Sequence, residues 1–460
     1  MKQFNVLVIG SGSGMLIANR ALMSGLSVAL VESGPLGGTC LNRGCIPSKM
    51  VIYPADVINV IRKSKKFGIK ANIESVDFRF VMDRMRHFIE EDSSHMEERI
   101  GQVPGLSFYN DVGEFISDYT IRVSGETIKT ENVFIVSGSR PSIPPIKSLE
   151  NVEYLTSVNV WDINEVPRSM IFIGGGYIAV EFAHFFSSFG SNVTIISRSQ
   201  RLVKRSEPEI SEFLKRIMEK SMTIVTGFEA VEVVEKGGLK EVIAVNSETG
   251  EEHTFSAESL FISSGRRSNS DLLKPERTGV KLDDRGFVVV NKFLETSKER
   301  IWAFGDAIGK HMFKHVANYE AGIAWHNFSH KGHKIPVNYS SVPYGVFSYP
   351  QIASVGITEK EAQEKGYNVL VGRQELKETA KGAAMDEEGF VKVIVEEKTG
   401  KILGGHIVGP YAPTIIQEII NAMNSGDGSY SPIMQTMHIH PALSEVVQFA
   451  FYNLHKPHEH

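Results

Sequence analysis

Cysteine is almost absent from this chain: 460 residues hold two, Cys40 and Cys45. Secreted scaffolds stapled by disulfides spread an even number of cysteines along their length, so that class is excluded. A bridge between positions this close would shut a very short loop and add little stability. The pair is therefore either inert or chemical. Positive charge is also scarce: 49 Lys and Arg against 54 Asp and Glu leave a net charge of −5. No basic field exists to hold nucleic acid or an anionic membrane. No apolar run approaches the roughly 18 residues that would cross a bilayer. The start, MKQFNVLVIGSGSG, passes straight into an apolar stretch and a glycine loop, leaving no room for a signal peptide. A cytoplasmic protein without nucleic-acid or membrane partners is expected.

The length exceeds what one hydrophobic core supports and predicts about three domains. Phe4–Ile9 reads as a buried parallel strand, followed by a glycine turn, a helix over Gly14–Ser24 and a second strand, Ser27–Val31. The pattern recurs as strand Ser169–Ile173, Gly174-Gly175-Gly176, a helix to Phe189 and strand Asn192–Ile196. Two strand–glycine–helix–strand units predict two Rossmann-like dinucleotide-binding domains in an α/β protein. Beyond Pro336 the glycine loops stop. Strands in Val342–Val355, at Phe390–Val395 and at Ile402–Val408, with helices Thr358–Lys365 and Pro413–Asn424, predict a C-terminal α+β domain. Ser64–Val76 and Ser247–Thr254 read as surface loops or hairpins. The expected division is 1–146, 147–266, 267–338 and 339–460.

The first loop carries Gly10, Gly12 and Gly14, with Met15 where a third spaced glycine is expected. Such a loop brings backbone N–H groups and a positive helix end to a pyrophosphate. Glu32, at the end of the second strand, is placed to accept bonds from ribose hydroxyls. The second loop, Gly174, Gly176, Tyr177, Ile178 and Ala179, has the full spacing. At its acid position stands Ser197, followed by Arg198, Arg201, Lys204 and Arg205. Cations suit a ribose 2′-phosphate, which a glutamate would repel. The first site is expected to hold FAD and the second NADPH, with NADH the alternative.

The segment Gly37-Gly38-Thr39-Cys40-Leu41-Asn42-Arg43-Gly44-Cys45-Ile46-Pro47-Ser48-Lys49 resembles the redox signature of the class I flavoprotein disulfide reductases. Val136–Pro141 with Gly138, Gly265–Asn269, and Ala303–Ala307 with Asp306 and Ala307 are similar to further segments of that family. Gly113 corresponds to a family glycine near the adenine, although Asp111 replaces another. The resemblance implies that Gly37 and Gly38 let the backbone lie against the flavin, with Gly38 and Thr39 among the FAD-binding residues, and that the cysteines open a helix favouring a thiolate. It implies Cys45 as the flavin-facing thiolate, Cys40 as the thiol that attacks substrate, and Lys49 near the flavin, paired with Glu181. The run His438–Glu445 resembles the family's HPxxxE pattern, which implies His440 as the base and Glu445 as its orienting carboxylate. It further implies a homodimer with composite active sites, because that histidine comes from the second subunit. Tyr177 corresponds to a tyrosine that covers the nicotinamide pocket in glutathione reductase.

The substrate implied is a small disulfide or dithiol. GTCLNRGCIPSKMVIYPADV, EFAHFFSSFG, FKHVANYEA and HIVGPYAPTIIQEIINAM are similar to mycothione reductase, and CLNRGC and HIHPALSE to dihydrolipoamide dehydrogenase. The residues at 197 and 198 tilt the reading to an NADPH-driven reductase of a low-molecular-weight disulfide. The alternative is a dihydrolipoamide dehydrogenase, with a 2-oxoacid dehydrogenase complex as partner. Mercuric reductase is excluded by the missing second cysteine pair. An NAD(P)H oxidase or quinone reductase would not need both cysteines and the base. No resident metal is expected; the histidines of the tail His455–His460 read as a frayed terminus.

Overall fold

The computed structural model of the chain describes residues 1–457; the last two tail histidines, His458 and His460, lie outside the described residues. Lys2–Ile9 forms the centre of a seven-stranded sheet in the order Leu106–Asn110, Val28–Glu32, Lys2–Ile9, Glu126–Ile135, Thr120–Val123, Glu114–Ser117, with Ile301–Ala303 also pairing Glu126–Ile135. The strands on either side of Lys2–Ile9 run parallel to it, and the FNVLVI run is almost fully buried because helices cover parallel sheets on both faces. Residues 301–303 thus return to a sheet begun three hundred positions earlier.

The second dinucleotide unit has four parallel strands, Thr223–Thr226, Asn192–Ser197, Ser169–Ile173 and Ser259–Ile262. Beside it lies an antiparallel sheet of Phe228–Lys236, Leu239–Asn246 and Glu252–Ala257. The expected loop at 247–254 is the turn of this last hairpin and part of its strand. The C-terminal unit is a five-stranded antiparallel sheet in the order Pro343–Val346, Ile352–Gly356, Ile402–Val408, Phe390–Glu396, Val369–Glu375. The fold is α/β, with two Rossmann-like units and a C-terminal α+β domain.

Three details depart from expectation. Residues 413–424 are two helices, Ala412–Ile415 and Gln417–Met423, instead of one. The 64–76 stretch begins with a short 3-10 turn, Ser64–Phe67. A 23-residue helix, Phe78–Ile100, was not anticipated. It buries Phe78, Met82, Met85 and Ile89 along one stripe, with Phe78 against Phe185 and Phe189 at 5.8 and 5.6 Å.

A buried ion cluster joins the second Rossmann-like unit to the C-terminal sheet. Lys392, its side chain 4% exposed, lies 3.3 Å from Glu207, 2.7 Å from Glu209 and 2.7 Å from Glu359. Glu207 is itself buried and accepts the Glu359 amide at 2.5 Å. Among the described residues, no helix is long and apolar enough to cross a membrane.

Candidate active site

The redox segment does not form one helix opened by both cysteines. Cys40 sits inside the short helix Gly38–Asn42, and only Cys45 opens the long helix Cys45–Lys63. The break comes at Arg43–Gly44, where the chain leaves helical conformation and a Cβ on Gly44 would stand 2.8 Å from the Thr39 carbonyl. The turn brings the two thiols together. Both are free, and Cys40 donates to the Cys45 sulfur. That bond, with the Lys49 ammonium nearby, lowers Cys45 to about 7; the same bond and burial push Cys40 up. The two shifts favour the charge on Cys45, at the helix N-terminus, and the proton on Cys40.

One turn further, Lys49 Nζ lies 2.8 Å from Glu181 Oε2. Glu181 is buried on the helix Tyr177–Ser188, which begins at the second glycine loop. Its other oxygen accepts the Phe347 amide at 2.9 Å, and Lys49 Nζ stands 4.3 Å from the centre of the Phe347 ring. The same two helices meet again at His184 and Asp56, 2.8 Å apart, and at Asn59 and Ser188, 3.1 Å apart.

The redox segment also touches the first glycine loop. Gly38, at φ +66°, packs so closely that a Cβ there would lie 2.8 Å from Gly12 Cα. Glu32 accepts from Ser11 N and Oγ, both 2.8 Å, and from Gly34 N at 3.0 Å. Asp306 accepts from Ser139 Oγ at 2.5 Å, beside Gly138 and the buried Ala307, and Arg266 donates to that same hydroxyl at 2.7 Å. Gly113 packs against Ile121. Asp111, in place of a glycine, caps its own turn by accepting from Val112 N and Ser124 N.

In the second unit Gly174 has φ +121°, and a Cβ there would stand 2.5 Å from the Ser263 carbonyl oxygen. Gly176 precedes the Tyr177–Ser188 helix, and Tyr177 lies 6.3 Å from the Phe313 ring. Ile178 packs partly buried behind it, and Gly265 sits at φ +138° where the chain leaves the unit. Ser197 is buried beneath Gly175. The Val203 amide donates to the Gly175 carbonyl at 2.7 Å, folding the basic stretch back onto the loop. Lys204 is exposed there and forms no ion pair among the described residues. Arg198 does not stand free: its guanidinium is 3.2 Å from Glu229, both exposed.

His440 projects from the C-terminal domain with its side chain 72% exposed. Its Nδ1 is 2.8 Å from Glu445 Oε1, while Glu445 Oε2 accepts the Ala442 amide at 3.0 Å. The hydrogen bond with His440 holds Glu445 below the usual carboxylate range. The neighbouring Met437 and Ile439 are 96% and 78% exposed.

Residues 4–321 match the family model described as pyridine nucleotide-disulphide oxidoreductase, and residues 342–451 match its dimerisation domain. The chain belongs to this family. It is 36% identical to a mycothione reductase of Mycobacterium tuberculosis, covering 99% of this chain and 100% of that protein. It is 33% identical to a dihydrolipoyl dehydrogenase of Chlamydia muridarum, over 96% and 95%. Its backbone is similar to a Cu(II) complex of the HOCl-induced flavoprotein disulfide reductase RclA from Escherichia coli, with TM-score 0.87, 26% identity and coverage of 98% and 99%.

As a pyridine nucleotide-disulphide oxidoreductase the chain is an oxidoreductase acting on sulfur, using FAD and NAD(P)H. Its residues fit both groups. Among the described residues, nothing lies within 4 Å of a Cβ built on Gly12 or Gly176, so each loop leaves backbone open to a phosphate. Glu32 Oε1 carries a single protein donor and keeps acceptor capacity.

Sequence reasoning missed four contributors: Phe347, Lys314, Glu229 and Glu320. Lys314 lies near Cys40, draws its thiol downward against the other effects, and donates to Ser13 at 3.2 Å. Glu320, fully buried, accepts the Gly305 amide at 2.7 Å and so braces the Asp306 turn. Lys314 and Glu320 lie in the FKHVANYEA segment; neither Phe347 nor Glu229 falls in a motif.

Proposed function

We propose that this enzyme is an NADPH-driven reductase of a low-molecular-weight disulfide, acting in the cytoplasm as a homodimer with two composite sites. The adjoining free thiols, with Cys45 lowered and Cys40 raised by their mutual interaction, carry the reading. His440 of one subunit serves the cysteines of the other and removes the Cys40 proton. Cys40 sulfur then attacks one sulfur of the substrate; its S–S bond breaks, and the leaving thiolate takes the proton back from His440. Cys45 thiolate attacks Cys40 in the mixed disulfide, releasing the second half as a thiolate that takes its proton from solvent, and closing the Cys40–Cys45 bond. NAD(P)H and FAD, when bound, supply the two electrons that reopen it. Glu445 orients the His440 ring. The exposed Met437 and Ile439 support burial of this loop in a second subunit.

Arg201, Lys204 and Arg205, folded onto the glycine loop, support a 2′-phosphate. The Arg198–Glu229 pair favours a second reading: a carboxylate there opposes a phosphate, as suits an NAD-linked dihydrolipoamide dehydrogenase, which would serve a 2-oxoacid dehydrogenase complex. Initial rates with NADPH and a panel of small disulfides, set against NAD and dihydrolipoamide, separate the two. Strong preference for the second pair overturns the first reading.

A further inference from the structure

The C-terminal domain reaches the redox centre of its own chain. Lys49, Glu181 and Phe347 come from three different parts of the sequence and close a ring of contacts. The ammonium bonds one carboxylate oxygen at 2.8 Å, the Phe347 amide bonds the other at 2.9 Å, and the Phe347 ring faces the ammonium at 4.3 Å. We propose that Phe347 is a positioning residue of the redox site: its ring and amide together fix where the Lys49 ammonium stands, one helical turn from Cys45.

Four physical points carry this. A lysine has four rotatable bonds and one salt bridge restrains only its tip, so a second contact is needed to fix its direction. An aromatic face at this distance supplies that contact and attracts the charge without competing for the carboxylate. The amide of the same residue fixes Glu181, so one residue aligns both members of the ion pair. Phe347 directly follows the strand Pro343–Val346 of the C-terminal sheet, and so is held by a rigid element outside both dinucleotide units.

The consequence is readable at Cys45, whose thiolate is stabilised by Lys49 and opposed by Glu181, with Cys40 donating to it and Lys314 lying on the Cys40 side. The test is a thiolate titration of the dithiol protein, followed by ultraviolet absorbance. It is independent of any substrate, so failure of the disulfide-reductase reading appears as lost turnover with this titration intact. Phe347→Leu keeps the amide and removes the ring; the Cys45 transition should move up by about half a pH unit. Phe347→Tyr should restore it. In a Lys49→Met background Phe347→Leu should produce no further shift, because the group being positioned is gone. An unchanged transition in Phe347→Leu overturns the proposal. So does an equal shift with and without Lys49, which would mark Phe347 as packing alone.

Discussion

The imidazole of His184 and the carboxylate of Asp56 meet at 2.8 Å across the two helices that carry the redox cysteine and the nicotinamide loop. His184 is 4% exposed, and its second nitrogen lies 3.3 Å from Ser188 Oγ. With Lys49–Glu181 and Asn59–Ser188, the pair forms a polar seam between the helices. His184→Leu should cost about 1–3 kcal/mol, since the buried Ser188 and the part-exposed Asp56 each lose a partner. His184→Gln should recover part of that. Denaturant melts of the two variants check the order, and stabilities equal to that of the unmodified protein would show that His184 contributes nothing to the seam.

The cysteine pair makes a pH prediction. Because the folded protein favours the Cys45 anion, the thiolate signal of reduced protein should be present above about pH 7 and vanish as pH falls through that value. Cys45→Ser should remove the transition. Cys40→Ala should move it upward, since the donated hydrogen bond is the largest cause of the depression. Cys40→Ser keeps a donor and should shift it less. A transition that survives in Cys45→Ser would reverse the roles of the two sulfurs.

His440 and Glu445 yield a kinetic prediction. His440→Ala should lower disulfide turnover by about 10²–10⁴-fold, the usual contribution of a placed base, while the reductive step with NAD(P)H survives. Glu445→Gln should be milder. Mixing Cys40→Ser subunits with His440→Ala subunits, and allowing exchange, should restore activity by creating one intact site per heterodimer. No recovery despite demonstrated exchange would mean that cysteine and histidine work within one chain.

Cofactor choice turns on a carboxylate that motif reading overlooked. If Arg198 serves a 2′-phosphate, Glu229→Gln should lower the KM for NADPH by freeing it, and Arg198→Ala with Lys204→Ala should raise that KM roughly ten- to a hundred-fold. NADH kinetics should hardly move in either. A parallel change with both cofactors would remove these residues from the selection.

Lys392 supplies a stability test away from the chemistry. Its three carboxylate partners raise it above the ordinary lysine range despite burial, so it stays charged throughout physiological pH and loses its contribution only under strongly alkaline conditions. Lys392→Met would leave the buried Glu207 uncompensated, costing about 3–5 kcal/mol. Adding Glu207→Gln should return part of it, and thermal melts of the pair measure how much.

What the sequence disclosed follows contact range. The glycine loops, Glu32 and the cysteine segment are local patterns whose geometry is set within a few dozen residues, and they were legible. Lys49–Glu181 and His440–Glu445 came through family resemblance, the first because its partners lie 132 positions apart. The helix Phe78–Ile100 shows a readable stripe at 78, 82, 85 and 89 that its charged remainder masked. Phe347, Glu229 and the Lys392 cluster left no trace, because each depends on how separately folded units lie against one another. Splitting the redox helix at Gly44 was equally hidden, since it rests on one close backbone approach.

The 2.8 Å separation between a Cβ imagined on Gly38 and the backbone of Gly12 has a consequence for inheritance. The redox segment cannot gain even a methyl group at Gly38 without displacing the first glycine loop. The first glycine loop therefore restricts what the redox segment may carry at position 38. A chimera that brings in a relative's cysteine loop should fold against this glycine loop only when that position remains glycine.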